Sequence, residues 1–228
     1  MRVMTDGSSN PMSLVKASKD DIPSLIRIHL AAFAQDNATR LMYTTDADMK
    51  KKLQNILNPA FSDPKKSTFK AINKETGDIL GWIGFVHVGY SDAEVKEEAE
   101  PAEKDKDAGT RLSKIGELIK NDSARVRDEW MSNKKYIHVG TLVTDPAHQG
   151  HGVGSALTHL ATSEADTDGV PCWIESTAVA HGVYYRLGFK DVGGLEIDLR
   201  EYAPGGKSGK RGWGLWETVY MLRLPETK

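Results

Sequence analysis

Ile22, Leu25, Ile26, Leu30 and Phe33 recur at helical spacing behind Ser18, with His29 in the same stripe. Ser18 stands where an N-cap belongs, and Asp20, Asp21 and Pro23 suit a first turn. The pattern predicts an amphipathic helix after a short strand at Leu14–Ala17. A second helix is expected over Ala47–Leu57, with Met49, Leu53, Ile56 and Leu57 on one side and Pro59 and Pro64 breaking the chain beyond it. Ser67–Ile72 and Ile79–Val88, flanking the turn Asn73–Asp78, read as a β-hairpin. Gly81, Gly84 and Gly89 in its second strand point to bends or a close backbone approach.

From Ser91 to Gly109 the apolar signal disappears. Eight acids and three lysines surround Pro101 with almost nothing to bury, which predicts an exposed, disordered insert. Helical spacing returns at Leu112, Ile115, Leu118, Ile119, Val126 and Trp130, so Arg111–Met131 is expected to pack back on the body. Strands are then predicted at Tyr136–Thr144, Val170–Glu175, Phe189–Asp198 and Trp213–Leu224, with helices at Gly154–Glu164 and Ala178–Leu187. A Gly/Lys loop, Pro204–Gly212, precedes the last strand. The order βααββ, insert, βαβαββ is α/β, with the two late strands antiparallel.

The chain's 228 residues suit one domain: a mobile tail over 1–12 and a body over 13–228 that carries the insert and its helix at 91–135. Thirty basic residues against 32 acidic ones give a formal charge of -2, which argues against a nucleic-acid partner that needs a cationic surface. The lone Cys172 makes no internal disulfide. No apolar run reaches the roughly 18 residues of a membrane span. Met1–Asn10 lacks the apolar region of a signal peptide. The expectation is a cytoplasmic monomer or homodimer without a membrane partner.

The densest signal runs from Leu142 to Leu157, where a predicted strand enters Gln149-Gly-His-Gly-Val-Gly154 and opens directly into a helix. Glycines let a backbone approach a ligand without a Cβ in the way. The first helical turn adds unpaired N–H groups and a dipole that favours an anion, so the unit is a phosphate cradle. A Walker A loop would need Lys after Gly154, and a dinucleotide fingerprint would place its third glycine one residue later. Both lose on spacing.

Gln149-x-x-Gly152-x-Gly154 resembles the Gln/Arg-x-x-Gly-x-Gly/Ala motif of the GNAT superfamily of acetyl-CoA-dependent N-acetyltransferases. Leu142-x-Thr144-x-Pro146 is similar to that family's Leu-x-Val-x-Pro, with Thr in place of Val. Val183-Tyr-Tyr-Arg-Leu-Gly-Phe189 is similar to its Leu-Tyr-x-Lys/Arg-Leu-Gly-Phe segment. The resemblance implies a GNAT fold: a mixed central sheet flanked by helices, here with a charged insertion between the third and fourth strands that the family does not explain. It implies acetyl-CoA as cosubstrate, without a metal. The pyrophosphate would lie on backbone N–H groups of Gln149, Gly150, His151, Gly152, Val153, Gly154 and Ser155. The pantetheine arm would pair with Leu142, Val143 and Thr144 like an added strand. Thr177 stands where the family often places an Asn that contacts the cofactor.

Acetyl transfer to an amine needs a neutral nucleophile, a stabilised oxyanion and a leaving thiolate. A lysine-like amine is mostly protonated at pH 7, and freeing its lone pair costs about 4.6 kcal/mol, so a base or water chain is expected. A backbone N–H near Leu142–Thr144 could polarise the thioester carbonyl. The resemblance puts Tyr184 beside the thiol as the acid; the rival reading is packing under Phe189, a task that the adjacent Tyr185 could perform instead. His138 lies two residues before Gly140 and four before Leu142, so unbroken strand alternation would place all three on one face. An imidazole there suits a proton acceptor near neutrality. Arylalkylamine N-acetyltransferases look similar at this position, although a half-buried structural histidine would read the same. Glu175, at the end of the next strand, is a second base or an amine anchor, or the partner of a surface lysine.

His148 and His151 read as solvated loop side chains, Cys172 as core, and Trp213 and Trp216 as packing residues. Lys207, Lys210 and Arg211 read as a solvated loop. The reading is an N-acetyltransferase that passes acetyl directly to a primary amine in a ternary complex; the alternative is a non-catalytic GNAT-like module that binds acyl-CoA and regulates.

Overall fold

A computed structural model describes residues 11–43, 45–91, 94, 114–206 and 212–226. One seven-stranded mixed sheet organises them, in the order β1-β2-β3-β4-β5-β7-β6. Its strands are β1 (Met12–Lys16), β2 (Lys66–Asn73), β3 (Ile79–Val88), β4 (Tyr136–Thr144), β5 (Cys172–Thr177), β6 (Lys190–Asp198) and β7 (Leu215–Arg223). The helices are α1 (Ile22–Phe33), α2 (Asn37–Met42), α3 (Asp46–Ala60), α4 (Lys114–Met131), α5 (Val153–Asp168) and α6 (Ala178–Arg186). All pairings are antiparallel except β4 with β5. The acidic stretch and the Lys207–Arg211 loop lie outside the described residues, apart from Ser91 and Glu94.

Ser18 and Asp21 lock the entry to α1, since the Ser18 N–H and hydroxyl both donate to Asp21 Oδ2 at 2.8 and 3.1 Å. Thr45 and Asp48 cap α3 reciprocally. Contrary to expectation, Pro59 does not end α3, which runs to Ala60 with the proline in its last turn. The short helix α2 was not expected at all; Asp36 caps it by accepting from the Thr39 N–H at 2.7 Å. His29 occupies an apolar slot of α1, stacked on Phe33 at 4.8 Å, and burial pushes its imidazole down to about 4.

Two cores lie on opposite faces of the sheet. On one, α1 and α3 close over Trp82 and Val143, and the Trp82 indole donates to the Leu25 carbonyl at 2.9 Å. Burying one such indole stabilises the fold by about 2–3 kcal/mol. Farther along the same face α4 sets Val126 and Met131 against Tyr136, Trp173 and Tyr220. On the other face α5 buries Val153, Leu157, Ala161 and Ala165, one helical ridge, against Ile83, Phe85, Ile137 and Val139. Cys172 joins this core, and burial pushes its thiol up to about 12, so it is inert.

Two irregularities shape the middle of the sheet. Gly84 pairs with Thr141 and Phe85 with Val139, which leaves Gly140 as an additional, bulged residue on β4. β4 and β5 pair only through Ile137–Val139 and Cys172–Ile174. Beyond these pairs the strands part: β4 continues to Thr144 on β3, and β5 continues to Thr177 on β7.

Candidate active site

The glycine turn lies at the end of β4 on the side where the strands part. Asp145 anchors its start, accepting from the Ala147 N–H at 3.1 Å and from Arg27 Nη1 at 3.1 Å. Gly150 and Gly152 have φ of 76° and 81°, and an added Cβ at either would meet no atom within 4 Å. Both positions therefore demand glycine for conformation while leaving open space above the backbone. The Ala156 N–H to Gly152 carbonyl bond, 3.0 Å, is the first of α5, so the N–H groups of Val153, Gly154 and Ser155 precede any intrahelical acceptor. The Gln149 amide reaches back to the Thr144 carbonyl at 3.4 Å, and His151 Nδ1 turns to the Gln149 carbonyl at 2.7 Å. Both side chains belong to the turn, leaving its backbone as the donor surface.

Gly81 makes the cradle's floor possible. A Cβ there would lie 2.6 Å from the Val143 carbonyl oxygen and 3.0 Å from the Val153 side chain. The close approach expected from the glycines of this strand is therefore real at Gly81.

The bulge at Gly140 overturns the expected alternation of β4. Leu142 pairs with Ile83 and Val139 with Phe85, and both partners face α5. His138 pairs with Val86 and Val143 with Trp82, on the opposite face. His138 and Leu142 therefore do not share a face, because the additional residue reverses the count between them. Thr144 follows Leu142 toward Gly154; its Oγ1 would lie 3.6 Å from a Cβ on that glycine.

His138 and Glu175 meet on the α4 face. His138 Nε2 lies 2.8 Å from Glu175 Oε2, and their side chains are 22% and 24% exposed. Glu175 Oε1 accepts from Ser123 Oγ at 2.6 Å, Arg127 Nη1 at 3.0 Å and Trp173 Nε1 at 3.0 Å. Burial alone would raise the pKa of this carboxyl, but the hydrogen bond and charge of His138, with Ser123 and Trp173, hold it near 2. So held, Glu175 is a poor proton acceptor at neutrality, and its partners are His138 and Arg127 rather than a surface lysine. The carboxylate can only accept, so Nε2 of His138 carries a proton, and in the neutral form of the ring Nδ1 is the nitrogen with the lone pair.

Sequence reasoning missed Ser123, Arg127 and the Trp173 indole. The only available signal was the i, i+4 spacing of Ser123 and Arg127, which puts two polar groups on one strip of a helix read for its apolar residues.

Tyr184 stands on the opposite face, buried in the α5 core with its ring 5.8 Å from Phe189. Burial, with Cys172 nearby, raises its phenol and keeps the hydroxyl protonated. Tyr185 does not take over the packing: it is 57% exposed, stacked on His181 and covered by Lys190. Thr177 is the N-cap residue of α6 and lines a cavity of about 420 Å³ with Asp36, Val179, Glu196, Trp216 and Glu217. Trp216 donates to Asp36 Oδ2 at 3.1 Å, and Trp213 precedes β7 with Arg40 over its ring.

Residues 125–198 match the family model described as an acetyltransferase (GNAT) domain. An uncharacterized N-acetyltransferase of Schizosaccharomyces pombe is 35% identical over 82 residues, 36% of this chain and 30% of that protein. The match thus spans under a third of the curated relative's length. Among solved structures, arylalkylamine N-acetyltransferase 2 from Aedes aegypti has a TM-score of 0.59 at 16% identity, covering 95% of this chain and 100% of that one. The putative acetyltransferase yncA from Salmonella typhimurium, determined with its cofactor acetyl-CoA, has a TM-score of 0.56 at 14% identity, covering 96% of each chain. These structural likenesses show the fold. The matched segment, residues 125–198, is similar to a GNAT acetyltransferase domain, and the mixed seven-stranded sheet flanked by helices has the GNAT fold.

Proposed function

We propose that the chain is an acetyl-CoA-dependent N-acetyltransferase that passes acetyl directly to a primary amine. The observation that carries this reading is the His138–Glu175 pair, on the two strands that part beside the glycine turn. The cradle fits a pyrophosphate: two positive-φ glycines leave open space, and the α5 N-terminus aims unpaired N–H groups with a favourable dipole. The edge of β4 from Gly140 to Thr144 has no strand partner toward β5 among the described residues, which suits the amide-bearing pantetheine arm. When bound, the cosubstrate supplies an activated acetyl thioester.

The residues divide the work. His138 Nδ1 takes the proton of the acceptor ammonium, and Glu175 stabilises the resulting imidazolium. The freed nitrogen attacks the thioester carbon, and as the carbon–sulfur bond breaks the nitrogen gives its second proton to solvent, leaving the neutral amide. Backbone N–H groups of β4 stabilise the oxyanion, and Tyr184, the only phenol of the matched helix motif inside the core, returns a proton to sulfur. The acceptor's charge is met by the cavity next to Thr177, where the carboxylates of Glu196 and Glu217 stand on directly paired residues. Neither forms an ion pair among the described residues, so a cationic amine would relieve their mutual repulsion.

Acetyl-CoA with a panel of polyamines, arylalkylamines, amino sugars and peptides, read by thiol release, tests the reading. Thiol release dependent on one amine class supports it. Binding of CoA without release for any amine would favour the regulatory module instead, and failure to bind CoA would reject both.

A further inference from the structure

Glu175 uses its two oxygens differently. Oε1 is saturated by three donors, from Ser123, Arg127 and Trp173, while Oε2 receives only His138 Nε2 among the described residues. Two of the three donors come from α4, the helix that follows the acidic insert. Trp173 adds the third from β5 itself, two residues before Glu175 and on the same face. Arg127 also lies 3.4 Å from Ser123 Oγ, so the α4 donors are cross-linked.

We propose that α4 is a positioning element for catalysis, in which Arg127 and Ser123 pin Glu175 Oε1 so that Oε2 orients the His138 ring and presents Nδ1 to the acceptor amine. The proposal rests on the reading of His138 as the proton acceptor and extends it to residues outside both family motifs. Three arguments favour positioning over simple bracing. A carboxylate beside an imidazole orients it only if its own rotamer is fixed, and one hydrogen bond to each of two α4 residues removes the remaining freedom about the last torsion. The Arg127 charge also tempers the carboxylate's pull on the imidazolium, which keeps the ring able to release its proton. Finally, the hydrogen bond from Ser123 is the shortest of the four, as expected for a hydroxyl donating to an ionised group.

The other charged and titratable groups on this face are accounted for. From α4, Asp122 accepts from the Tyr220 hydroxyl at 2.8 Å and from Arg125 at 2.8 Å, and Arg125 also reaches Glu129. Asp128 and Arg127 act on Tyr136 of β4, whose phenol burial raises. Tyr220 of β7 is raised by burial and by Asp122. The tyrosines are neutral at catalytic pH and Asp122 is compensated, so Arg127 is the variable charge beside Glu175.

The test compares pH profiles of kcat and kcat/KM for the parent, His138→Ala, Glu175→Gln, Arg127→Met, Arg127→Lys and Ser123→Ala. Arg127→Met should move the acidic limb to higher pH by about half a unit to one unit, because an untempered carboxylate holds the imidazolium more tightly. Glu175→Gln should move it the opposite way and lower kcat by about 100-fold. Arg127→Lys should restore the limb. Ser123→Ala should lower kcat by about 10-fold with KM for acetyl-CoA within about two-fold.

If His138→Ala keeps the parent's limb, the base assignment itself fails. If His138→Ala loses the limb but Arg127→Met and Ser123→Ala leave both limb and kcat unmoved, the base stands and the role of α4 is overturned. Losses of kcat that track thermal stability with an unmoved limb would also overturn it. Should Arg127→Met fail to fold, Ser123→Ala still decides the matter, because kcat at the parent value in that variant overturns the role of α4.

Discussion

His138 and Leu142 lie four residues apart on β4 yet project from opposite faces of the sheet, because Gly140 stands unpaired between the Gly84–Thr141 and Phe85–Val139 pairs. The bulge assigns the strand two tasks. Before it, His138 faces α4 and meets Glu175. After it, Leu142 and Thr144 face α5 and would lie 3.8 and 3.6 Å from a Cβ at Gly154, so they form the floor under the glycine turn. One strand thus serves the proposed base on one face and the proposed cofactor cradle on the other.

Leu142→Ala and His138→Ala should accordingly fail in different measurements. Leu142 is half-buried against the α5 core, and its truncation should destabilise the fold by about 2 kcal/mol and weaken CoA binding. His138→Ala should leave CoA binding within about two-fold and lower kcat by about 100-fold or more. Calorimetry with CoA and steady-state kinetics on both variants separate the two. Matching phenotypes would contradict the two-faced strand.

Gly152 is the N-cap residue of α5 at φ 81°, a conformation that Asn tolerates better than other side chains. Gly152→Asn should fold with a penalty of about 1 kcal/mol. Gly152→Asp has nearly the same shape but adds a negative charge where pyrophosphate is proposed to sit. CoA affinity should fall at least about 10-fold further for Asp than for Asn, measured by calorimetry in low salt. Equal affinities would remove the phosphate from the turn.

His87 predicts how stability depends on pH. Its Nδ1 is 3.1 Å from the Lys65 carbonyl and its Nε2 is 2.7 Å from Glu164 Oε1. Both neighbours accept, so the folded protein favours the imidazolium. Burial alone would lower the pKa from 6.5, but Glu164 and the Lys65 carbonyl, with Asp168 behind the edge-on Tyr90 ring, outweigh it and raise the value. A group raised in the folded state stabilises fully below its unfolded pKa, and that contribution disappears as pH rises through the folded value. Urea midpoints should therefore decline from about pH 6.5 upward. In His87→Gln the decline should flatten, with a loss of about 1 kcal/mol at pH 6. An unchanged slope in that variant would place the titration elsewhere.

Much of this architecture was readable because the chain changes period where the fold changes element. Alternation over Tyr136–Thr144 gives way to the ridge Val153, Leu157, Ala161, Ala165, with glycines at the junction, and β4, the turn and α5 follow. The bulge had one signal, the isolated Gly140 inside a strand pattern, but alternation through Gly140 fits the apolar positions equally well, so the reversal between His138 and Leu142 was missed. The six residues of α2 are too few for periodicity to register. Pro59 misled because it removes only the donor for the Asn55 carbonyl, and α3 ends one residue later, so the proline costs one bond without stopping the helix before it. Glu175 was found as a carboxylate near a cleft, but two of its four donors, Ser123 and Arg127, come from a helix more than forty residues upstream, a juxtaposition that only the packing of α4 creates.

Tyr184 supplies the sharpest test of the proposed chemistry. Its ring packs on Phe189 in a fully apolar core, so the ring alone justifies its presence there, and Tyr185 takes none of that burden. Packing on Phe189 uses the ring and not the hydroxyl, so the hydroxyl is the group whose removal isolates the chemistry. Tyr184→Phe preserves the ring and should change the melting temperature by no more than a few degrees, with CoA affinity within about three-fold of the parent. If the phenol protonates the departing sulfur, kcat should fall by roughly 10- to 1000-fold, and the fall should shrink for a thioester whose thiol is more acidic and leaves without help. Tyr185→Phe, at the exposed neighbouring position, should be silent in all three measurements. Turnover at the parent rate in Tyr184→Phe would return Tyr184 to the core as a packing residue and leave the leaving thiolate to be protonated by solvent.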